Sequence, residues 1–295
     1  MTQPSGFTLK IMWLAALSLL AACSSPAEDY PPPSPALWEV TAQDGTKEGW
    51  LFGTIHELPD GVEWRTEKLE RALTQSDWLI VEVSDLENST QLRAIFAELA
   101  VSDNLPPLLQ RVRPDYRKDL RLLLSEGGLD SDDFTGTETW AAALTLAQLS
   151  SKGDSENGVD RALIAQFAAV IELEGGRKQL TIFDRLPEQD QRDLLEAVVR
   201  ESQSPDDSET TDLTRSWLTG DIDTLLEDDP SGMLSDPELY DALLKNRNRA
   251  WIDTIVAEAD KKGPLMIAVG AAHMVGVDGL PALLTERGYR VTRIQ

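Results

Sequence analysis

Residues 49–58 read GWLFGTIHEL, and residues 263–273 read GPLMIAVGAAH. Each is an apolar, strand-like run that closes on the same pattern, Gly53-Thr-Ile-His56 in the first and Gly270-Ala-Ala-His273 in the second. The chain has 295 residues and only two His, so its whole supply of imidazole sits in one local setting used twice. Short apolar runs bounded by Gly and Pro read as buried strands. Working outward, LWEVTAQDGTKEGWLFGTIH is a strand pair joined by a turn at Asp44-Gly45. VEWRTEKLERALTQSD then spaces Val62, Leu69 and Leu73 as a helix ending near Asp77, and WLIVEVS (Trp78–Ser84) is a further apolar strand with one carboxylate, Glu82.

From Leu86 to about Ala259 the pattern is mostly helical, broken at Pro106-Pro107, at Gly127-Gly128 and in acidic loops. MVGVDGLPALLTERGYRVTRIQ closes the chain with a helix and a strand. Strands at both ends around a helical middle predict an α/β (α+β) fold, in which a mixed central sheet built from the N- and C-terminal segments carries a large helical insertion over 86–259. Six of the tryptophans (Trp38, Trp50, Trp78, Trp140, Trp217 and Trp251) lie in apolar patterns and read as core, and EQDQR (188–192) reads as a solvated helix face.

The N-terminus stands apart from this body. After Lys10, the apolar run IMWLAALSLLAAC is too short to span a bilayer as a helix and ends in Leu20-Ala21-Ala22-Cys23. This resembles the lipobox of bacterial lipoproteins, so residues 1–22 read as a lipoprotein signal peptide and Cys23 as the lipidated residue. A lone cysteine excludes an intrachain disulfide and a Cys-based zinc site. Residues 23–36, rich in Pro and Ser, read as a semi-rigid tether, and 37–295 as the folded domain. The expectation is an exported protein facing the periplasm, held to the membrane by lipid at Cys23, with Ser24 compatible with outer-membrane sorting. A formal charge of −24, from 51 acidic and 27 basic residues, argues against nucleic acid as a partner.

In open α/β sheets ligands collect at the carboxyl ends of the strands. His56, Glu82 and His273 each fall at such an end, and parallel neighbouring strands would bring the three to one cavity. Two imidazoles and a carboxylate suit a divalent transition metal with positions left for water and substrate. The alternative for each histidine is a strand-end ring bonded to backbone. HELPD opens like a zincin motif, but Asp60 stands where the second His belongs and Pro59 breaks the helix that motif needs.

LWEVT with GWLFGTIHEL, LERALTQSDWLIVEVSD, GVDRALI, IELEGGRKQLTIFDRLPEQDQRDLL, NRNRAWI and AVGAAHMVGVDGLPALLTERGYRV follow one another in an order that resembles the TraB/PrgY/GumN family, which includes the animal Tiki proteases. The resemblance implies a fold similar to erythromycin esterase and to a haem-binding lipoprotein. It implies a metal-dependent, peptidase-like hydrolase favouring manganese or cobalt, with functional positions at His56, Glu82, Arg247, Asn248 and His273. In that scheme the two His bind the metal, Glu82 is a third ligand or a general base, and Arg247 or Asn248 steadies a developing oxyanion or a substrate carboxylate. Adjacent helix positions point about 100° apart, so one of that pair reaches the centre. Arg247 could instead be an inter-helix ion pair, and Glu82 a buried partner of the same arginine. Leu173-Glu174 is followed by Gly175 where the family usually has Thr, so Glu174 reads as a helix-end or loop contact. A lipoprotein binding haem or a peptide without turnover, or an envelope factor capturing a partner protein, are the other functions this pattern allows.

Overall fold

A computed structural model describes residues 30–85, 89–150, 153–203, 213–223 and 233–295. The stretch read as a signal peptide, Cys23, Ser24 and most of the stretch read as a tether lie outside the described residues.

The apolar runs form the sheet. Strands β1 (Leu37–Thr41) and β2 (Lys47–Thr54) make the first hairpin, β3 is Trp78–Val81, β4 is Val170–Glu172, β5 is Leu265–Gly270 and β6 is Arg290–Arg293. Their order is β4-β3-β5-β2-β1-β6. β4, β3, β5 and β2 are parallel neighbours, while β1 pairs antiparallel with β2 and with β6. The sheet is therefore mixed and the fold α/β. Its central strand, β5, is the run LMIAVG, with every residue up to Val269 buried, as a parallel strand covered on both faces requires.

Between β2 and β3 lies α1 (Glu67–Thr74). It begins five residues later than the spacing of Val62 suggests. Thr66 caps it, its Oγ1 accepting from Leu69 N at 3.2 Å, and Trp64 stays extended to enter the core, 6.3 Å in ring separation from both Phe52 and Trp217. After β3 come α2 (Ser89–Leu99), α3 (Arg117–Glu126), α4 (Thr139–Ser150) and α5 (Val159–Gln166). β4 follows, then α6 (Gly176–Asp184), α7 (Glu188–Glu201) and α8 (Leu213–Thr219). Helix α9 (Pro237–Tyr240) runs through one π-helical turn, Asp241–Lys245, into α10 (Asn246–Lys262), and α11 (Leu280–Glu286) leads to β6. The 86–259 stretch is mostly helical where described, but it also supplies β4, whose three residues extend the sheet beyond β3.

Two apolar cores result. One surrounds the sheet and includes Leu51, Phe52, Leu79, Ile80, Met266 and Ile267. The other lies among the inserted helices, around Leu120, Leu124, Trp140, Leu146, Leu194 and Val199. Gln191, expected on a solvated face, is buried instead, with its Oε1 accepting from Trp140 N at 3.0 Å and its Nε2 donating to Leu186 O at 3.0 Å. Of the tryptophans expected in the core, Trp78 is only partly buried, with the Lys262 ammonium 3.5 Å from its ring centre. Among the described residues no helix is long and apolar enough to cross a membrane.

Backbone approach at the start of β2 requires glycine. Gly49 pairs with Leu265 at φ +146°, and a Cβ there would lie 2.0 Å from Leu265 O. Gly49→Ala should therefore force β2 away from β5 and cost about 1–3 kcal/mol, as over-packing does. Urea unfolding tests this; an unchanged midpoint would show that the two strands do not meet there.

Candidate active site

The parallel strands end on one side of the sheet, and the chemistry gathers there. His56 lies two residues beyond β2, Glu82 follows β3 directly, Glu174 lies two residues beyond β4, and His273 sits in the 3₁₀ turn Ala271–Met274 that follows β5. The backbone ladder of β3 and β4 runs past the strands, with Leu173 N donating to Val81 O at 2.9 Å and Glu174 N to Glu82 O at 3.1 Å. This sets the two glutamates side by side. Gly270 is the floor between the histidines. Its N–H donates to Glu82 Oε1 at 2.8 Å. A Cβ placed on it would stand 3.3 Å from Glu82 Oε1, 3.6 Å from His56 Nε2 and 3.7 Å from His273 Cδ2. Two imidazoles from opposite ends of the chain thus face one carboxylate across a single hollow.

Arg247, in the first turn of α10, spans that hollow. Its Nη2 donates to Glu82 Oε2 at 2.5 Å and to Glu174 Oε2 at 2.9 Å, its Nε reaches both Glu174 oxygens at 3.2 Å, and its Nη1 lies 3.2 Å from His273 Nε2. Nη1 also donates to Leu243 O, inside the π turn that precedes the helix. Such turns recur at functional sites. Trp251, one turn along α10, packs tilted against His273 with ring centres 4.4 Å apart, lies under the Arg247 guanidinium and donates Nε1–H to Glu174 at 3.0 Å.

Asn248 points the other way. Its Nδ2 donates to the carbonyls of His273 and Asp278, and its Oδ1 lies 2.7 Å from His273 Nδ1. Its oxygen holds the ring from behind, and its NH2 ties down the backbone at His273 and Asp278. Of the two neighbours on the helix, it is Arg247 that reaches the hollow.

Three side chains that the sequence reading left without a site role complete the arrangement. Asp160, in α5, accepts from His56 Nδ1 at 2.7 Å through one oxygen and from Thr54 Oγ1 at 2.6 Å through the other. Gln179, in α6, donates to Glu82 Oε2 at 3.2 Å. Glu174, read as a loop contact, is on a loop, but its buried carboxylate binds Arg247. Asp160, Glu174 and Gln179 all lay within segments that carried the family resemblance, but none has a local pattern that marks it as a site residue.

A model of the TraB/PrgY/gumN family matches residues 36–293, almost the entire folded body. The chain belongs to the TraB/PrgY/gumN family. No curated protein and no solved structure matches it. In this family member the hydrogen bonds also set the protonation states.

Because Asn248 Nδ2 is committed to two carbonyls, Oδ1 must accept, so His273 carries its proton on Nδ1 and turns a lone pair on Nε2 toward the hollow. Burial pushes this histidine down to about 3, although Glu82 pulls the other way, and it is neutral at physiological pH. His56 has the opposite fate. The Asp160 carboxylate raises it to about 9 against partial desolvation, with Glu82 adding to the effect. Burial alone would raise Glu82, but His273, Arg247 and His56 hold it at about 2; with His273 neutral, Arg247 is the decisive charge.

Three buried carboxylates thus meet two cationic groups, Glu82 and Glu174 on the Arg247 guanidinium and Asp160 on the His56 ring. Among the described residues no trio of His, Cys, Asp or Glu side chains is drawn together tightly enough to hold an ion, although His273 Nε2 lies 3.8 Å from Glu82 Oε1, with Arg247 bonded to both residues. The donor chemistry nevertheless fits a divalent cation. Both rings have Nδ1 tied to an acceptor and Nε2 facing the hollow, the arrangement of metal-ligating histidines, and the carboxylate surplus favours a further positive charge.

In metal-free protein the two ring titrations should separate widely, His56 near pH 9 and His273 near pH 3, as read by histidine NMR, which the two-His composition makes unambiguous. The raised His56 adds stability that is full below pH 6.5 and lost as pH rises through 9. The depressed His273 removes stability as pH falls from 6.5 toward 3. Two rings titrating together near pH 6.5 would contradict these environments.

Proposed function

We propose that the protein is a metal-dependent, peptidase-like hydrolase of the bacterial cell envelope, exported and anchored by lipid at Cys23. The observation that carries this reading is the convergence of His56 Nε2, His273 and Glu82 Oε1 around Gly270, with Arg247 alongside. His56, His273 and Glu82 are the residues that would hold the divalent ion. Such an ion, when bound, supplies a nucleophile at neutral pH by acidifying water.

The chain's own groups fit the remaining tasks. Glu82, ionised at neutral pH, serves as ligand or takes the proton of the attacking water. Arg247 supplies a planar cation beside Glu82 and His273; its N–H groups are held by Glu82, Glu174, Leu243 O and His273, so it would serve a developing oxyanion or the carboxylate of a peptide by exchanging one of these partners. Asn248 and Trp251 lock His273 so that its lone pair needs no reorganisation. The lipid tether would keep this chemistry close to a membrane surface, where peptides or small molecules of the envelope are the available substrates, and the acidic surface argues against nucleic acid.

Purified protein loaded with manganese, cobalt or zinc and screened against a peptide library should show cleavage that EDTA abolishes. His56→Ala and His273→Ala should each lower both bound metal and turnover, with kcat/KM falling about 10²-fold or more. Full turnover in His56→Ala would end the proposal. A Soret shift on adding hemin, without cleavage of any substrate, would replace it with the ligand-binding lipoprotein.

A further inference from the structure

The two histidines share a motif but not a means of support. His273 is 5 % exposed in its side chain and is walled by Trp251 and Asn248. His56 is 63 % exposed, so packing does not fix its ring. What meets it is the segment Gly158-Val159-Asp160 at the start of α5, far away in sequence. Each residue makes a different contact with the loop after β2. Gly158 lies so close that a Cβ would stand 2.3 Å from His56 O. Val159 N donates to Ile55 O at 3.0 Å. Asp160 is buried, and its two oxygens take His56 Nδ1 and the buried Thr54 hydroxyl. A backbone bridge between Leu58 and Asp154, with Asn157 Nδ2 donating to Leu58 O at 3.2 Å, closes the far side of the same loop.

We propose that Gly158-Val159-Asp160 is a device that aims His56, with Asp160 as its positioning residue; this deepens, and rests on, the reading of the hollow as a metal-hydrolase site. Gly158 lets the helix start press against the His56 peptide, Val159 pins the peptide before it, and Asp160 fixes the ring so that Nε2 rather than Nδ1 faces the hollow. Thr54, the last residue of β2, anchors Asp160 to the sheet, which makes the aim of an exposed ring as rigid as the strand beneath it. Partners of this kind behind a metal-ligating histidine change affinity about 10–100-fold when removed.

The test uses the whole folded protein with Co²⁺ as probe, read by visible absorption and calorimetry, together with NMR of the His56 ring in metal-free samples. Asp160→Ala should weaken Co²⁺ binding about 10–100-fold. It should also erase the contact of the His56 ring with α5, while that between His273 and Trp251 persists. Asp160→Asn is the second variant, since Thr54 can turn its hydroxyl to accept from the amide. It should keep the ring ordered and still bind Co²⁺ more weakly, through loss of the carboxylate. Gly158→Ala should displace the loop and disorder the ring although Asp160 is intact. Wild-type Co²⁺ affinity and an ordered ring in Asp160→Ala would overturn the inference. Failure of the unmodified protein to take up any Co²⁺ would instead overturn the hydrolase reading, and ring order in the metal-free variants would still decide the role of Asp160.

Discussion

The guanidinium of Arg247 binds carboxylates that follow two neighbouring parallel strands and faces an imidazole that follows a third. Buried charges are tolerated only when paired and hydrogen-bonded on nearly every lone pair. That condition is met. Glu82 accepts from Gly270, Gln179 and Arg247, and Glu174 accepts from Arg247 and Trp251. One cation from a helix therefore ties together the carboxyl ends of β3, β4 and β5. The apolar middle of the sheet has no comparable directional constraint. Its strands are held by ladder bonds and burial, while the site end is fixed by charge.

Within that frame, one sequence motif produces two different histidines. The turn after β5 drives His273 under Trp251, where desolvation keeps it neutral. The loop after β2 leaves His56 open to water and beside a carboxylate, which charges it in the absence of another cation. The site can thus exchange one positive charge for another without leaving its carboxylates unpaired. That is the electrostatic property expected where metal uptake is coupled to proton release.

Much of this was legible before the fold was known. The run LMIAV read as a buried strand, and the Gly-x-x-His pattern placed both rings at strand ends. Glu82 was readable as the single carboxylate in an apolar strand. What escaped was whatever depended on a distant partner. β4 has three residues, too few for a periodic signal, and is a strand because β3 offers it a ladder. Glu174 looked like a loop residue because locally it is one; only Arg247, on a helix more than seventy positions later, makes it part of the site. Asp160 had no local feature to mark it, since its partners Thr54 and His56 lie more than a hundred positions away.

The sequence by itself determined the apolar strands, the family, the two imidazoles and the excess of acid, because apolar periodicity, motif spacing and formal charge are carried by the chain in order. Tertiary structure alone decided that β5 lies between β2 and β3, that Arg247 faces inward while Asn248 faces back, and that one imidazole is charged and the other neutral. Pairing partners and desolvation are through-space quantities. They exist only once segments remote in sequence have been packed against each other.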